Sequence, residues 1–200
     1  MSDYVFLFDL DSTLTRCEIL PMLAEKLGNA ERMRQMTEET MRGERPFSES
    51  FSERVRMLSE LPVSAVAEQV AAVPLNRKMT EFVRQHPERC YVVTGNVDCW
   101  IEELLRPLLP AEHIICSQAL LENGYIRSLR TVVDKGEAAA RFTAPLVVIG
   151  DGDNDVPMAR RAEIVIGFGG VREIAPGLRD LCTRSFTDES ECAAFLETLL

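Results

Sequence analysis

Two carboxylates, Asp9 and Asp11, lie two residues apart directly after an apolar run near the start of the chain. The run, residues 4–8, is aromatic or branched throughout, which is typical of a buried strand in a parallel sheet. Side chains at positions i and i+2 of an extended segment point to the same side, so both carboxylates should project together beyond the strand. Two anions this close are costly unless a cation or a shared proton relieves them. The pair therefore indicates a cation-dependent reaction centre or, as the plainer alternative, a solvated acidic turn.

Further polar residues follow two other apolar runs. Thr94 comes directly after the run 90–93, and Asp151 and Asp155 come after the run 146–149. If these runs are strands of an open parallel sheet, their carboxyl ends meet at one edge, which is where such sheets bind ligands. Carboxylates gathered in this way suit Mg²⁺, which takes a few carboxylates together with water and substrate phosphate. With a lysine added, this is the set of groups that phosphoryl transfer needs.

The order of these residues along the chain resembles the four motifs of the haloacid dehalogenase superfamily. The residues that carry the motifs here are Asp9-Leu10-Asp11-Ser12-Thr13, Thr94, Lys135 and Gly150-Asp151-Gly152-Asp153-Asn154-Asp155. The match spans the whole predicted sheet, and the spacing leaves room for a helical cap between the first and second motifs. The resemblance implies a phosphomonoester hydrolase that forms an aspartyl-phosphate and then hydrolyses it.

The same resemblance implies a role for each motif residue. Asp9 is the nucleophile, and Asp11 protonates the leaving alkoxide and later takes a proton from the attacking water. Thr94 and Lys135 hold the oxygens of the transferring phosphoryl group, and Lys135 also offsets the charge of Asp9. The implied cofactor is Mg²⁺, and its ligands are Asp9, Asp11 through its backbone carbonyl, Asp151 and, in support, Asp155.

The predicted cap is similar to that of the phosphoserine phosphatases. A site for O-phosphoserine needs one acid for the ammonium group and one guanidinium that grips the carboxylate, and the resemblance assigns these roles to Glu18 and Arg54. Met41 and Phe47 would supply an apolar lid that excludes water when the cap closes. On amphipathic helices taken alone, both Glu18 and Arg54 would instead be read as solvated surface charges.

The second motif departs from that family, because Thr94-Gly95-Asn96 stands where phosphoserine phosphatases usually have Ser-Gly-Gly. Threonine keeps the hydroxyl for phosphate binding, whereas Asn96 adds a side chain where the family has bare backbone near the substrate. The alternative is therefore a related phosphatase for another small phosphomonoester, such as a sugar, amino-alcohol or nucleotide phosphate. Gly95, Asn96 and Asn154 complete the predicted substrate-binding residues.

A different class of protein would also gather carboxylates and a lysine above a parallel sheet. A phospho-accepting receiver or an inactive binding module could do so, but a receiver has no reason to carry a helical insert of about 60 residues after its first strand.

The elements that must position these residues fall into two blocks. Between residues 15 and 75, apolar residues recur at helical spacing, which indicates a small helical cap. The remainder, residues 1–14 and 76–200, alternates strands with helices and predicts an α/β core with a doubly wound, mostly parallel, Rossmann-like sheet. Within this core, Asn123-Gly124 indicates a tight hairpin, and a helix is expected over residues 171–178.

Composition narrows the class of partner. The 200 residues carry a formal net charge of −10, which disfavours nucleic acid and anionic membrane as partners. The six cysteines form no CxxC pair, as expected of reduced thiols in a cytosolic protein. Residues at the N-terminus lack the pattern of a signal peptide, and no run is long enough for a membrane helix. We therefore expect a cytoplasmic monomer or homodimer that acts on a small phosphomonoester.

Overall fold

The computed structural model describes residues 3–42 and 44–200, apart from the side chains of Lys26 and Met41. In these ranges the centre is a seven-stranded sheet of order β4-β3-β2-β1-β5-β6-β7, in which only the β3/β4 pair is antiparallel. The strands are β1 (Val5–Phe8), β2 (Cys90–Val97), β3 (Ile114–Glu122), β4 (Tyr125–Thr131), β5 (Leu146–Gly150), β6 (Ile164–Phe168) and β7 (Arg184–Phe186).

Helices occupy both faces of the sheet and a separate block after β1. They are α1 (Ile19–Ala24), α2 (Ala30–Met41), α3 (Phe47–Leu58), α4 (Val63–Ala71), α5 (Arg77–Gln85), α6 (Asp98–Leu105), α7 (Lys135–Ala139), α8 (Val156–Ala159), α9 (Pro176–Arg179) and α10 (Glu189–Glu197). This is the doubly wound α/β architecture that the alternation of elements predicts. None of the helices in the described ranges has the length and apolar character that a membrane crossing requires.

Strand β1 lies in the middle of the sheet and is buried on both faces. Phe6 and Phe8 belong to the apolar cluster that includes Phe82 of α5, and the rings of Phe6 and Phe82 meet edge to face at 5.1 Å. Leu7 points the other way, into the cluster that contains Val148 of β5. This alternation explains why the run is apolar at every position, because each of its faces has a helical layer to pack against.

The helices α1 to α4 belong to residues 16–74, which we call the insert. The chain enters and leaves the insert side by side, because Thr15 and Leu75 form an antiparallel bridge. The N–H of Arg16 donates to the carbonyl of Pro74, and the N–H of Asn76 donates to the carbonyl of Leu14, both at 2.8 Å. The predicted division into a core and a cap over residues 15–75 is compatible with this arrangement and stays a prediction.

A second contact joins the insert to the sheet at the β3–β4 hairpin. Asn123 and Gly124 form its turn, with φ of 52° and 84°, as the Asn-Gly pair predicts. The carbonyl of Gly124 accepts a hydrogen bond of 2.9 Å from the N–H of Val63, at the start of α4. The two strands of the hairpin are long, nine and seven residues, because pairing between β3 and β4 stabilises residues that have little strand preference of their own.

Two further expectations about the elements differ from the structure, and one strand has no counterpart among the expectations. Strand β2 does not end at residue 93 but continues to Val97, through a register shift in its pairing with β3. The helix expected over 171–178 begins only at Pro176, since a residue before proline is driven out of the helical region and Ala175 is extended. Strand β7 has no clear signal in the sequence, because its three residues include an arginine and a serine.

Candidate active site

The segment after β1 is a wide turn that presents the acid pair. Residues 10–14 form a single π-type turn, closed by the N–H of Thr15 donating to the carbonyl of Leu10 at 2.9 Å. Asp9 and Asp11 keep extended backbone conformations, whereas Ser12 adopts φ of 57°. The N–H of Ile19 donates to Asp11 Oδ1 at 2.7 Å. The turn therefore fixes the orientation of Asp11 through the first residue of α1.

Lys135, the first residue of α7, joins the two acidic motifs. Its Nζ lies 2.5 Å from Asp9 Oδ1 and 2.6 Å from Asp155 Oδ1, and all three side chains are buried. The other oxygen of Asp155 accepts the N–H groups of Asp151 and Gly152, both at 3.1 Å. Both oxygens of Asp155 thus already accept hydrogen bonds. Asp155 is therefore better placed to orient its neighbours than to bind a ligand through an unused oxygen lone pair.

The carboxylates of Asp9, Asp151 and Asp155 form a buried cluster whose oxygens lie within 4.8 Å of one another. Asp151 Oδ1 accepts a long hydrogen bond of 3.5 Å from Thr13 Oγ1, and within the described ranges Asp151 Oδ2 has no hydrogen-bond donor. Hard carboxylate oxygens with spare lone pairs fit a divalent cation such as Mg²⁺. The residues present therefore match the predicted metal site.

Burial dominates the protonation of this cluster. It raises the pKa of Asp9 to about 7, with Asp155 adding to the effect and Lys135 opposing it. The pKa values of Asp11 and Asp151 are raised well above their usual range, first by burial and then by the nearby Glu18 charge. Burial opposes the charge of Lys135, but the carboxylates of Asp155 and Asp9 hold its pKa above the ordinary value. The cluster and the neighbouring Asp11 and Glu18 carry more negative charge than Lys135 and Arg172 balance, which favours a bound cation.

Most of the predicted substrate-binding residues surround one small cavity of about 30 Å³ between the insert and the sheet. The predicted residues that line it are Asp9, Asp11, Glu18, Phe47, Arg54, Gly95, Asn96 and Asn154, and two others, Leu20 and Phe51, complete the wall. This volume holds about one water molecule, far less than a phosphomonoester. The described conformation is therefore closed, and substrate entry requires movement of the wall.

Phe47 and Asn154 lie between this cavity and a larger one of about 580 Å³, because both residues line the two cavities. The ring lies directly on Gly95, where a Cβ atom would come within 2.2 Å of Phe47 Cζ. A glycine at position 95 is thus required for this contact. Met41, the other predicted lid residue, has a side chain outside the described part of the structure.

Arg54 is a buried cation with little to balance it. Its side chain lies over the Phe51 ring at 5.8 Å, and its Nη1 donates to Thr37 Oγ1 at 2.9 Å. Across the described residues no carboxylate oxygen comes within 4.0 Å of its guanidinium. Burial lowers the pKa of Arg54, and the charges of Glu18 and Asp11 oppose this. The structure brings this side chain to the cavity, whereas Arg56, two residues on, is exposed.

Glu18 has partners that the sequence does not indicate. Its Oε1 accepts from Ser12 Oγ at 2.8 Å and lies 3.4 Å from Nη1 of Arg172. Arg172 also places its Nε 3.4 Å from Asp151 Oδ2, so one guanidinium joins an acid of the insert to an acid of the metal site. No local pattern predicts this reach, because Arg172 lies in a loop where the sequence pattern predicts a helix.

The residues of the second motif lie inside β2 rather than after it. Thr94 is buried, and its hydroxyl accepts the N–H of Asn96 at 3.1 Å. Thr94 does not line the cavity, so its phosphate-binding role stays a prediction. Asn96 donates from Nδ2 to Asp11 Oδ2. Asp153 of the fourth motif accepts the N–H of Leu178, in the first turn of α9, at 3.1 Å.

Comparison with known proteins points to the same family as the motifs. Residues 6–160 match the family model of haloacid dehalogenase-like hydrolases. The chain belongs to this family.

Curated relatives carry a more specific name. Over 98% of its length the chain is 32% identical to phosphoserine phosphatase SerB2 of Mycobacterium tuberculosis, and over 93% it is 31% identical to phosphoserine phosphatase of Archaeoglobus fulgidus. It spans only 49% and 57% of these two proteins, about half their length. It is also 28% identical to phosphoserine phosphatase of Lactococcus lactis, with 82% of each chain covered.

Solved structures share the fold of this haloacid dehalogenase-like chain. A substrate-bound phosphoserine phosphatase complex superposes with a TM-score of 0.83 at 21% identity, covering 98% of this chain and 99% of the other. A phospho-aspartyl intermediate analogue of phosphoserine phosphatase gives a TM-score of 0.82 at 23% identity, with 98% and 99% covered. These likenesses extend through the insert as well as the sheet.

Proposed function

We propose that this chain is a Mg²⁺-dependent phosphomonoester hydrolase that acts through an aspartyl-phosphate, with O-phosphoserine as the leading substrate. The observation that carries the proposal is the pairing of Asp9 with Lys135 beside a cavity that also holds the buried Arg54. A nucleophilic carboxylate and a cation for a substrate anion then face the same small space. The names of the curated relatives support the same substrate.

In the first half-reaction Asp9 attacks phosphorus. A bond forms between the Asp9 carboxylate oxygen and phosphorus, the bond from phosphorus to the alcohol oxygen breaks, and Asp11 gives its proton to that oxygen. Lys135 stabilises negative charge on the phosphoryl oxygens while it holds Asp9 in place. The Thr94 hydroxyl, which accepts the Asn96 N–H, keeps its own hydrogen to donate to a phosphoryl oxygen.

In the second half-reaction Asp11 takes a proton from water. The water oxygen bonds to phosphorus, and the bond from phosphorus to Asp9 breaks, which releases inorganic phosphate and regenerates the carboxylate. Mg²⁺, held by Asp9, Asp151 and the Asp11 backbone carbonyl with Asp155 in support, would supply charge neutralisation for the phosphoryl group.

Recognition of the leaving group belongs to the insert. Arg54 would bind the carboxylate of phosphoserine, and Glu18 would face its ammonium group. Phe47, together with Met41, would close over the reacting atoms and exclude water. The alternative within the same class, a phosphatase for another small phosphomonoester, is favoured by one observation: Glu18 already has Arg172 nearby, so a positive charge on the substrate is less needed.

The first test is a panel of small phosphomonoesters assayed with Mg²⁺. We expect phosphate release that depends on Mg²⁺ and is highest for O-phosphoserine. Asp9→Asn should abolish turnover and leave the circular dichroism spectrum unchanged. Full activity in that variant would remove the proposed mechanism, and a long-lived aspartyl-phosphate without turnover would instead indicate a receiver.

A second test separates the two substrate proposals. Arg54→Ala should lower kcat/KM for phosphoserine at least ~100-fold more than for an aryl phosphate, because only phosphoserine has a carboxylate to bind. Arg56→Ala, an exposed arginine of the same helix, is the matched control and should change neither value appreciably. Equal losses on both substrates in Arg54→Ala would favour another phosphomonoester.

The remaining expectations concern partners and location. We propose that the protein binds neither nucleic acid nor membrane, works in the cytoplasm, and is a monomer or homodimer. Light scattering of the purified chain measures the last of these directly.

A further inference from the structure

One atom of the cavity wall, Asn96 Oδ1, has no hydrogen-bond donor among the described residues and takes no part in the reaction described above. Asn96 is 2% exposed and lines the cavity. Its Nδ2 donates to Asp11 Oδ2, while Oδ1 meets no hydrogen-bond donor from the residues that the structure describes. In this arrangement Nδ2 is used by Asp11, and Oδ1 remains an acceptor without a donor among the described residues.

A buried acceptor without a donor is unfavourable in a folded protein, and such atoms are rare. Here the atom belongs to a residue of the ligand cavity, so a donor on the ligand would satisfy it. The residue is also where the second motif departs from the phosphoserine phosphatase pattern, which has glycine at this position. A glycine at this position would offer no side-chain acceptor.

The bond to Asp11 indicates which part of a ligand Asn96 meets. Asp11 is the group that protonates the leaving oxygen, and the nitrogen and oxygen of one amide are only about 2.2 Å apart. A donor that reaches Oδ1 must therefore lie close to the leaving oxygen. The carbon next to the phosphorylated carbon is the natural position for such a donor.

The charge of the donor is not prescribed by this arrangement. Glu18 accepts from Ser12 Oγ and has the Arg172 guanidinium 3.4 Å away, so its charge is already partly balanced by the chain itself. An amide oxygen can accept a hydrogen bond from an ammonium group or from a hydroxyl. The wall around Asn96 therefore selects for a hydrogen-bond donor rather than for a cation.

We propose that Asn96 is a specificity-determining residue that selects phosphomonoesters with a hydroxyl or amino donor on the carbon adjacent to the phosphorylated one. The inference rests on the proposed phosphatase function and names its substrate class. O-Phosphoserine, phosphoethanolamine and the monophosphates of 1,2-diols meet the requirement, and simple alkyl phosphates do not.

Matched substrate pairs test this directly. 2-Hydroxypropyl phosphate and propyl phosphate differ by one neutral donor, and phosphoethanolamine and ethyl phosphate differ by an ammonium group. In the wild-type chain we expect the donor-bearing member of each pair to have a kcat/KM at least tenfold higher. In Asn96→Gly and in the similarly sized Asn96→Leu, the ratio for the hydroxyl pair should fall to about one. A substitution at position 96 that disturbs Asp11 should lower kcat/KM equally for both substrates of a pair. The ratio of the two values is therefore unaffected by that disturbance.

A binding measurement covers variants that turn over too slowly. In an Asp9→Asn background, calorimetry should show tighter binding of 2-hydroxypropyl phosphate than of propyl phosphate, and Asn96→Gly should remove the difference. A ratio or affinity difference for the hydroxyl pair that survives in both Asn96 variants would overturn the proposal and leave Asn96 as a positioning residue for Asp11. Failure of the wild-type chain to hydrolyse any phosphomonoester would count against the proposed function instead.

Discussion

At the scale of single residues, the site depends on a lysine that is buried between two carboxylates. Lys135 has only 3% of its side chain exposed, and its Nζ contacts Asp9 and Asp155 at 2.5 and 2.6 Å. Removing one partner of a buried ion pair leaves an uncompensated charge, and two carboxylates would be left here. Lys135, to which the proposed mechanism gives a chemical role, is therefore also a structural support.

Replacing this lysine should be costly even without substrate. We expect Lys135→Met to lower the free energy of unfolding by about 3–5 kcal/mol, measured by urea denaturation. Lys78 is the matched control, because its Nζ pairs with Glu81 at 2.9 Å while both side chains are about half exposed. Lys78→Met should cost no more than about 1 kcal/mol. Equal costs for the two variants would contradict the assigned burial of Lys135.

At the scale of elements, helix α3 closes the cavity through its first residue. Pro46 precedes the helix with extended backbone, and the ring of Phe47 then stacks on Phe51 one turn later at 5.4 Å. The stacked pair places Phe47 on Gly95 of β2, where the wall has no room for a methyl group. Closure is thus a contact between one helix and one strand.

A double-mutant cycle measures this contact. Gly95→Ala should lower kcat/KM at least tenfold, because its Cβ displaces the Phe47 ring. Phe47→Ala should also lower kcat/KM, because loss of the ring joins the small cavity to the larger one. The double variant should be less impaired than the product of the two single effects, since the clash disappears with the ring. Strictly multiplicative losses would show that the two residues do not meet in the working enzyme.

At the scale of the whole molecule, the site is a concentration of like charge in the centre of the fold. Asp9, Asp151 and Asp155 are fully or almost fully buried at the ends of neighbouring strands, with the buried Lys135 and the partly exposed Arg172 as their cationic partners. A cation that binds only the folded chain stabilises it by about 2.7 kcal/mol at 100 times its Kd. For a chain of this size this corresponds to a rise of roughly 5–10 °C in Tm.

We therefore expect Mg²⁺ to raise Tm in differential scanning calorimetry, and excess EDTA to reverse the rise. Asp151→Asn should remove the response. In EDTA the same variant should have a Tm equal to or above that of the wild type, because it relieves repulsion among buried carboxylates. A response to Mg²⁺ that persists in Asp151→Asn would place the cation elsewhere.

Much of this arrangement is predictable from the sequence because the relevant signals are local. An apolar run followed by polar residues marks a strand end, and parallel strands bring their ends together, so the pattern alone assigns Asp9 and Asp155 to one site. The motif order of the family adds Lys135 to them. The fold class follows from the alternation of elements. These predictions depend on short local patterns and on the general geometry of parallel sheets.

Contacts that depend on how distant segments pack could not be predicted in this way. Arg172 reaches Glu18 across 154 residues from an irregular loop, and Asn96 reaches Asp11 across 85. The length of the β3–β4 hairpin is also set by pairing rather than by strand preference. All three features follow from the tertiary structure and produce no periodic pattern in the sequence.

The bridge between Thr15 and Leu75 has a consequence for the history and engineering of the chain. Residues opposite each other in a non-hydrogen-bonded antiparallel pair have Cα atoms about 4.5 Å apart. The whole insert therefore leaves and rejoins the sheet through a gap that a short turn could span. A gene in which residues 16–74 were exchanged for such a turn, or for a different helical block, would leave the two ends of the core where they already are. The part of the cavity wall that the insert supplies could thus be inherited, lost or recombined separately from the carboxylates at the strand ends.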